Sequence, residues 1–588
     1  MSRIGVLVAN GLWAGSCWKE ALALHRGRNR VQEVQARLLR DIVWENRYTA
    51  FGQEHRFVEI GAVADYQARV PLSTYDDYTG YIQRIGGGAA GVLTAAPVLL
   101  FEPSSGSTAA AKLIPYTRGL QADFQRGIDP WVWHLFGWQP RLFFGRAYWS
   151  ISPAAHARQR TPAGLPIGFA EDSEYLGAAK KQLVEALLVV PPEVAQVQDI
   201  AAFRYVTLLF LLRCRDLALI SIWNPTFLTL LLGPLPGWLP ALARDVAAGR
   251  IDAAIEIDPA VRRRLEGRLR ADRRRSSEIE RVAQEWAGKS PVERDSVGRT
   301  LYEALWPQLV VLSCWADGRA AERVGSLREA FPHAAVQPKG LTATEGFVSW
   351  PMGGLEGAVL SLRSHFFEFV EGDSSSTPFP SRQSGEGGER GEIRLAHELQ
   401  CGKRYAVVLT THGGLYRYQL GDLVEVVGYY GQCPRIRFLG KEDMVVDLFG
   451  EKLNEAHVRA IVEEALARHA CPAPFWLVAP ERAVAGACFY TLFVQPEAQD
   501  DTAAIALVLQ ALAREVEDRL RENYHYDYCR RLNQLGPLRA FWITAGTSQA
   551  LETYLAVCTS LGQRLGDIKP VALHGHSGWA GAFQGRFV

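Results

Sequence analysis

Three stretches of this 588-residue chain hold side chains whose types and spacing suit chemistry. The first runs from Thr410 to Glu455. It carries Tyr416-Arg417-Tyr418, then Gly421-Asp422 ahead of the Val-rich segment Leu423 to Tyr429. An ionised aspartate only accepts hydrogen bonds and can take two, so Asp422 beside a glycine suits both hydroxyls of a ribose. Arg435-Ile-Arg437 then reads as a basic strand, Gly440-Lys441-Glu442-Asp443 as a hinge, and Gly450 to Lys452 as the entry to a helix of a new domain. The second stretch is Pro103 to Lys112. Hydroxyls at Ser104, Ser105, Ser107 and Thr108, a glycine at Gly106 and a cation at Lys112 together make a phosphate cradle. It departs from a Walker A loop, because the lysine follows Ala111 and no Ser or Thr follows it. Taken alone it competes on even terms with a solvated Ser-rich turn. The third is Thr344-Glu345-Gly346-Phe347, placed after an apolar strand pattern, which alone reads equally as a turn.

In this order, with Gly536-Pro537-Leu538 and Lys569 downstream, the motifs resemble those of the adenylate-forming enzymes. Within that superfamily the chain is most similar to the acyl-acid amido synthetases known from plant hormone responses and their bacterial relatives, over nearly its whole length. The resemblance implies an α/β fold: a large multilayer N-terminal domain over residues 1–443 and a smaller α+β lid over 444–588, hinged at Asp443. It implies ATP and Mg²⁺, with the Ser104 to Thr108 loop and Thr344 on phosphate, Asp422 and Arg437 on the nucleotide, and Glu345 on the metal, a hard cation that prefers oxygen. It also implies that Lys569 reaches from the lid to the meeting point of carboxylate and α-phosphate. Trp223, Asn224 and Phe227 become candidates for an acyl pocket, and His412 a hydrogen bonder behind it in preference to a base. Leu341 stands where relatives place an aromatic over the adenine. The implied activity joins a carboxylic acid to the amine of an amino acid through an acyl-adenylate, releasing AMP and pyrophosphate. An acyl-CoA ligase and a nucleotide-binding regulator without turnover remain as alternatives.

Composition agrees with small-molecule partners. The 64 basic and 63 acidic residues leave a net charge of +1, so no field over the whole chain draws it to nucleic acid or an anionic membrane. Nine scattered cysteines, without C-x-x-C or zinc spacing, read as reduced thiols of a cytoplasmic protein. Leu217 to Ala243 is uncharged and long enough to span a bilayer, but Pro225, Pro234, Pro236 and Pro240 would break such a helix, so buried helices are expected there. Ile4 to Trp13 reads as a buried first helix in preference to a signal sequence.

Local patterns predict an amphipathic helix over about Leu22 to Arg47 and a helix starting near Thr74. They predict solvated helix faces over Arg262 to Arg299, and a strand within Trp306 to Trp315. Ile393 to Leu395 and Tyr405 to Thr410 should form a hairpin about Gly402-Lys403. Glu371 to Gly391, rich in Ser, Gly and Pro, should be a surface loop. After Asp443, helices at Leu453 to His469 and Ala503 to Arg521 alternate with strands at Phe475 to Val478, Cys488 to Val494 and Leu538 to Ile543.

Overall fold

The computed structural model describes residues 2–588 apart from 105–111, 151–158, 170–177, 289–299, 318–319, 373–391, 442–444, 447, 450, 452, 483–487, 498–501, 532–533, 545, 547–548, 562 and 564–567. Asp443, the expected hinge, and most of the phosphate loop and the Glu371 to Gly391 loop lie outside the described residues.

A four-stranded parallel sheet sits at the centre of the architecture, in the order Arg146–Trp149, Leu217–Ser221, Val311–Cys314, Ala335–Pro338. Its middle strands are buried throughout, as sheets covered on both faces require; hence the unbroken apolar runs. The helix Ile200–Arg213 is apolar around its whole circumference and sinks into the same core as Leu235–Ala248, the arrangement expected of a helix without a polar face. The segment Leu217 to Ala243 is therefore a strand followed by two short helices. No described helix is long and apolar enough to cross a membrane.

A seven-stranded antiparallel sheet packs on the N-terminal helices, in the order Ser349–Pro351, Ala358–Leu360, Cys433–Lys441, Tyr418–Tyr430, Arg404–Thr410, Phe366–Glu371, Ile393–Leu395. The hairpin expected between Ile393–Leu395 and Arg404–Thr410 does not form. Both strands pair with Phe366–Glu371, on opposite edges, because that strand is almost wholly buried, its Glu368 included, and so lies between them. The N-terminal prediction is also corrected. One helix runs Arg3–Gly27 and a second Val31–Glu45, with the chain redirected at 28–30. The first is buried only on the face of Val6, Ala9, Trp13 and Cys17, and Ile4, Leu7, Val8 and Leu12 are exposed. The helix Tyr75–Gly86 starts as predicted, with Thr74 and Asp77 closing a capping box. Helices occupy the arginine-rich region, but Arg275 is not on a solvated face: its guanidinium is buried and donates to the carbonyls of Leu212 and Leu305.

The C-terminal part builds its own sheet, Phe475–Arg482, Cys488–Gln495, Arg539–Ile543 and Gly585–Phe587, packed with the helices Glu455–Arg468 and Thr502–Leu520. The helix Gln549–Ser560, absent from the sequence-based expectation, covers its other side. Leu230, from the helix Pro225–Leu232 of the large part, lies in the same apolar cluster as Phe475, Leu477 and Leu555, so the two parts are docked. All nine cysteines are free thiols, and only Cys401 is exposed.

Candidate active site

Three of the four strands of the parallel sheet hand on, at the carboxyl end, to a residue of the site. Ser221 leads to Trp223 and Asn224, Cys314 to Trp315, and Pro338 to Lys339. Ligands of open α/β sheets bind along this edge. Trp223 and Trp315 pack 5.7 Å apart, centroid to centroid. The Lys569 ammonium, carried by the C-terminal part, lies 3.7 Å from the centre of the Trp315 ring. Its backbone is held on both sides: the Asn224 amide donates to the Ile568 carbonyl at 2.7 Å, and the Tyr554 hydroxyl donates to the Lys569 carbonyl at 3.1 Å. Asn224 and Phe227 both line a cavity that Leu230, Leu555 and Ile568 also line, and Phe227 packs in the helical core as well. A polar residue opening a helix beside an apolar run gives no local sign of which partner it will meet.

From Lys339 the chain turns through Gly340, whose Cβ would collide with the Ser349 carbonyl, into a small hairpin. Thr342–Ala343 pairs with Gly346–Phe347, which leaves Thr344 and Glu345 as the two residues of its turn. Glu345 is only 8% exposed, and the Tyr418 hydroxyl donates to its Oε1 at 3.5 Å. Tyr75, close enough to Glu345 to feel its charge, is bonded to the strand Lys112–Thr117. Its hydroxyl accepts from the Leu113 amide at 2.7 Å, and the Lys112 ammonium lies 5.8 Å from its ring. Burial raises the Tyr75 pKa, and the nearby carboxylates of Asp76 and Glu345 raise it further. Ser104 ends the strand Val98–Ser104 directly opposite Lys112 in an antiparallel pair; Ser105, Gly106, Ser107 and Thr108 fall outside the described residues.

Asp422 is 2% exposed, in the strand Tyr418–Tyr430, opposite Lys441. It lies inside a long strand and not at its end. Gly421 before it has φ 73°, in the left-handed region that a glycine enters without strain, and the pairing shifts by a residue nearby. Arg437 is committed to two carboxylates of the protein, Glu425 at 2.7 Å and Glu356 at 2.9 Å. Near it burial pushes the Asp317 carboxyl up to about 6, against the opposing pull of the Phe438 amide and the Arg437 charge. This aspartate, two residues beyond Trp315, ties the sheet edge to the strand of Arg437.

Behind the site stands an aspartate–histidine cluster. Asp123, fully buried on the helix Arg118–Trp138, accepts from His412 Nδ1 at 2.9 Å and faces His365 Nδ1 at 3.5 Å. The Phe347 amide donates to His365 Nε2, so Nδ1 carries the His365 proton. Burial alone would raise the Asp123 pKa, and its two histidines hold it below the ordinary value. Burial alone would lower that of His412, and Asp123 holds it above the ordinary value. His412 is therefore a hydrogen bonder to a buried carboxylate, as its sequence position suggested. The motif arginine Arg417 has a scaffold role. It adopts φ 47° and makes a buried two-pronged ion pair with Glu368, both contacts 2.9 Å. Trp315, Lys339, Tyr75, Asp123 and His365 were missed in the sequence. For Trp315 the available signal was position, at the end of the segment Trp306 to Trp315 in which a strand was expected.

The parallel sheet thus presents Trp223, Trp315 and Lys339 beyond the carboxyl ends of three of its strands, with Lys569 of the C-terminal part against Trp315. Residues 23–336 match the GH3 family N-terminal domain and residues 358–441 the GH3 family central domain. The first match alone covers more than half of the chain, and the protein belongs to the GH3 family. Similar relatives include indole-3-acetic acid-amido synthetase GH3.3 of Arabidopsis thaliana, 23% identical over 74% of this chain and 71% of that protein. Another is probable indole-3-acetic acid-amido synthetase GH3.4 of Oryza sativa subsp. japonica, 25% identical over 90% of this chain and 84% of that protein. Among solved structures the fold matches GH3.15 acyl acid amido synthetase with a TM-score of 0.74, covering 97% of this chain and 96% of that one at 19% identity. The same enzyme in complex with 2,4-DB matches at 0.73 and 18% identity, over 94% and 93% of the two chains.

Proposed function

We propose that the protein is an ATP-dependent ligase of the AMP-forming kind, which adenylates a carboxylic acid and transfers the acyl group to the amine of an amino acid. The observation that carries this reading is the docking of Lys569. The lysine of one part is delivered onto an indole at the carboxyl edge of the other part's sheet, with its flanking carbonyls held by Asn224 and Tyr554.

In the first half-reaction a carboxylate oxygen of the acid bonds to the α-phosphorus of ATP, and pyrophosphate leaves. Two anions must meet, so positive charge placed at their junction stabilises the transition state more than the separated reactants. Lys569 supplies it. Asp422 holds the ribose, and the hairpin from Ser104 to Lys112 holds the phosphates, together with Thr344. Magnesium fits Glu345: a buried carboxylate is a hard oxygen donor, and magnesium commonly takes one or two carboxylates with substrate phosphates and water completing its shell. When bound, the ion would neutralise charge on the departing pyrophosphate. In the second half-reaction the amine nitrogen bonds to the acyl carbon, AMP leaves, and the nitrogen gives up its proton. Residues 444–588 act as a lid that swings about Asp443 between the two steps, withdrawing Lys569 to admit the amine.

The test is exchange of labelled pyrophosphate into ATP across a panel of carboxylic acids, followed by product analysis with amino acids or CoA. Acid-dependent exchange and an amide are expected. A thioester with CoA would move the protein to the ligases of that class, and ATP binding without exchange would make it a regulator.

A further inference from the structure

The turn that carries Glu345 belongs to a hairpin of two residue pairs, Thr342–Ala343 with Gly346–Phe347, too short to fix its own position. Ser364 and His365, just ahead of the strand Phe366–Glu371, grip one arm of it. The Phe347 carbonyl accepts from Ser364 Oγ at 2.8 Å, and the Phe347 amide donates to His365 Nε2 at 2.9 Å. The approach is close: a Cβ on Gly346 would lie 2.8 Å from His365 Nε2. His365 is wholly buried, and Phe124 and Phe367 meet its ring edge to face. Its Nδ1 faces Asp123 Oδ2 at 3.5 Å. A carboxylate repels a nitrogen lone pair and attracts an N–H, so it favours the tautomer whose Nε2 can accept. Asp123 reaches further. It accepts from His412 Nδ1 and from Arg126, each at 2.9 Å, while the His412 carbonyl accepts from the Thr117 hydroxyl at 2.9 Å. Thr117 ends the strand Lys112–Thr117, so one buried carboxylate bears on the acidic turn and on the strand that leaves the hydroxyl-rich loop.

Resting on the ligase reading above, we infer that His365 is a positioning residue for adenylation. Asp123 sets its tautomer, and its Nε2 holds the Phe347 amide and with it the turn that presents Glu345 to the departing pyrophosphate. A group displaced by about an ångström loses much of what it contributes to a transition state. The transfer step releases AMP and not pyrophosphate, so a displaced Glu345 slows only the first step.

The experiment uses the full chain as wild type, His365→Leu and His365→Gln. Leucine fills the space without an acceptor, and glutamine returns an oxygen near the place of Nε2. Nitrogen NMR of the imidazoles should show His365, identified by the signal lost in His365→Gln, with its proton on Nδ1. Acid-dependent pyrophosphate exchange by His365→Leu should fall about tenfold to a hundredfold in kcat, with KM for the acid nearly unchanged and transfer from a supplied acyl-adenylate within about twofold of wild type. His365→Gln should recover most of the exchange. A wild-type ring with a proton on Nε2 overturns the inference. So does a folded His365→Leu that leaves exchange unchanged or slows both steps alike, or a His365→Gln as slow as His365→Leu; acid-dependent exchange by the wild type then leaves the ligase reading in place. Because the tautomer belongs to the wild type, it decides the matter should His365→Leu fail to fold. A proton on Nδ1 with no exchange for any acid would sustain the grip on the turn and sink the ligase reading instead.

Discussion

The hydrogen bond from Asn224 to the Ile568 carbonyl allows a test of whether the docked position of Lys569 belongs to adenylation. Both residues are buried, at 5% and 1% exposure, and the bond is 2.7 Å long. Asn224→Ala removes the donor and leaves a buried carbonyl short of it, a loss of about 1–3 kcal/mol to the docked arrangement. At about 1.4 kcal/mol per tenfold, the ratio of docked to undocked lid falls roughly fivefold to more than a hundredfold. Pyrophosphate exchange should fall in step once the docked form is no longer dominant. Transfer from a supplied acyl-adenylate to the amine, which needs the lysine withdrawn, should hold or accelerate. Lys569→Ala is the comparator, with the same asymmetry and a deeper loss of exchange, because the charge itself goes. Rapid-quench measurement of each half-reaction reads both variants. Equal slowing of the two steps in a folded Asn224→Ala protein would refute the latch and leave Asn224 a scaffold residue, and an unchanged exchange rate would show the docked lid to be held by other contacts.

Asp422→Ala should weaken ATP binding by about 10-fold to 150-fold, the equivalent of a charge-assisted contact of about 1.5–3 kcal/mol, and calorimetric affinity unchanged in a folded variant would remove Asp422 from the nucleotide site. Arg417→Met strands Glu368 in the core and should cost about 3–5 kcal/mol in urea unfolding, whereas adding Glu368→Met should recover part of it; strictly additive losses would count against the pairing. His412 should titrate by NMR above the ordinary histidine value, and in Asp123→Asn below it, since burial, the largest influence, and the Arg126 charge then outweigh the weaker pull of Glu45. The stability contributed by its raised pKa is complete below about pH 6.5 and is lost as pH rises through the folded value, so a His412 midpoint indifferent to Asp123 would break the assignment.

The motif residues were legible because their chemistry is local. A Thr-Glu turn and a Gly-Asp step each make their geometry within a few residues, and they lie on a two-residue turn and a strand irregularity, while the hydroxyl-rich loop lies mostly outside the described residues. The lid elements were legible for a related reason, since their helices and strands carry clean periodicity. What failed involved competition between distant segments. Ile393–Leu395 has the pattern of a hairpin arm but is outbid for Arg404–Thr410 by the buried strand Phe366–Glu371, an outcome decided by burial and not by the turn between them. Arg275 belongs by composition to a solvated helix, yet two carbonyls from other elements draw it inward.

The active site mixes both cases, and the division has a physical cause. Groups that hold ATP meet a ligand of fixed shape, so similar local motifs suit it in different proteins. The residues gathered near one end of the parallel sheet come from four places in the chain: Trp223, Trp315 and Lys339 from the segments after three strands, and Trp131 from the helix Arg118–Trp138. No spacing rule connects them, because the crossover helices between parallel strands vary in length without moving the strand ends. The rule that does connect them is topological. Once the strands are known to be parallel and adjacent, the residues that follow Leu217–Ser221, Val311–Cys314 and Ala335–Pro338 become neighbours at one edge, whereas Trp131 reaches Lys339 from the helix Arg118–Trp138. Asn224 obeys the same rule from the other side: it follows a strand of that edge, and the partner it meets there is the lid segment that carries Lys569.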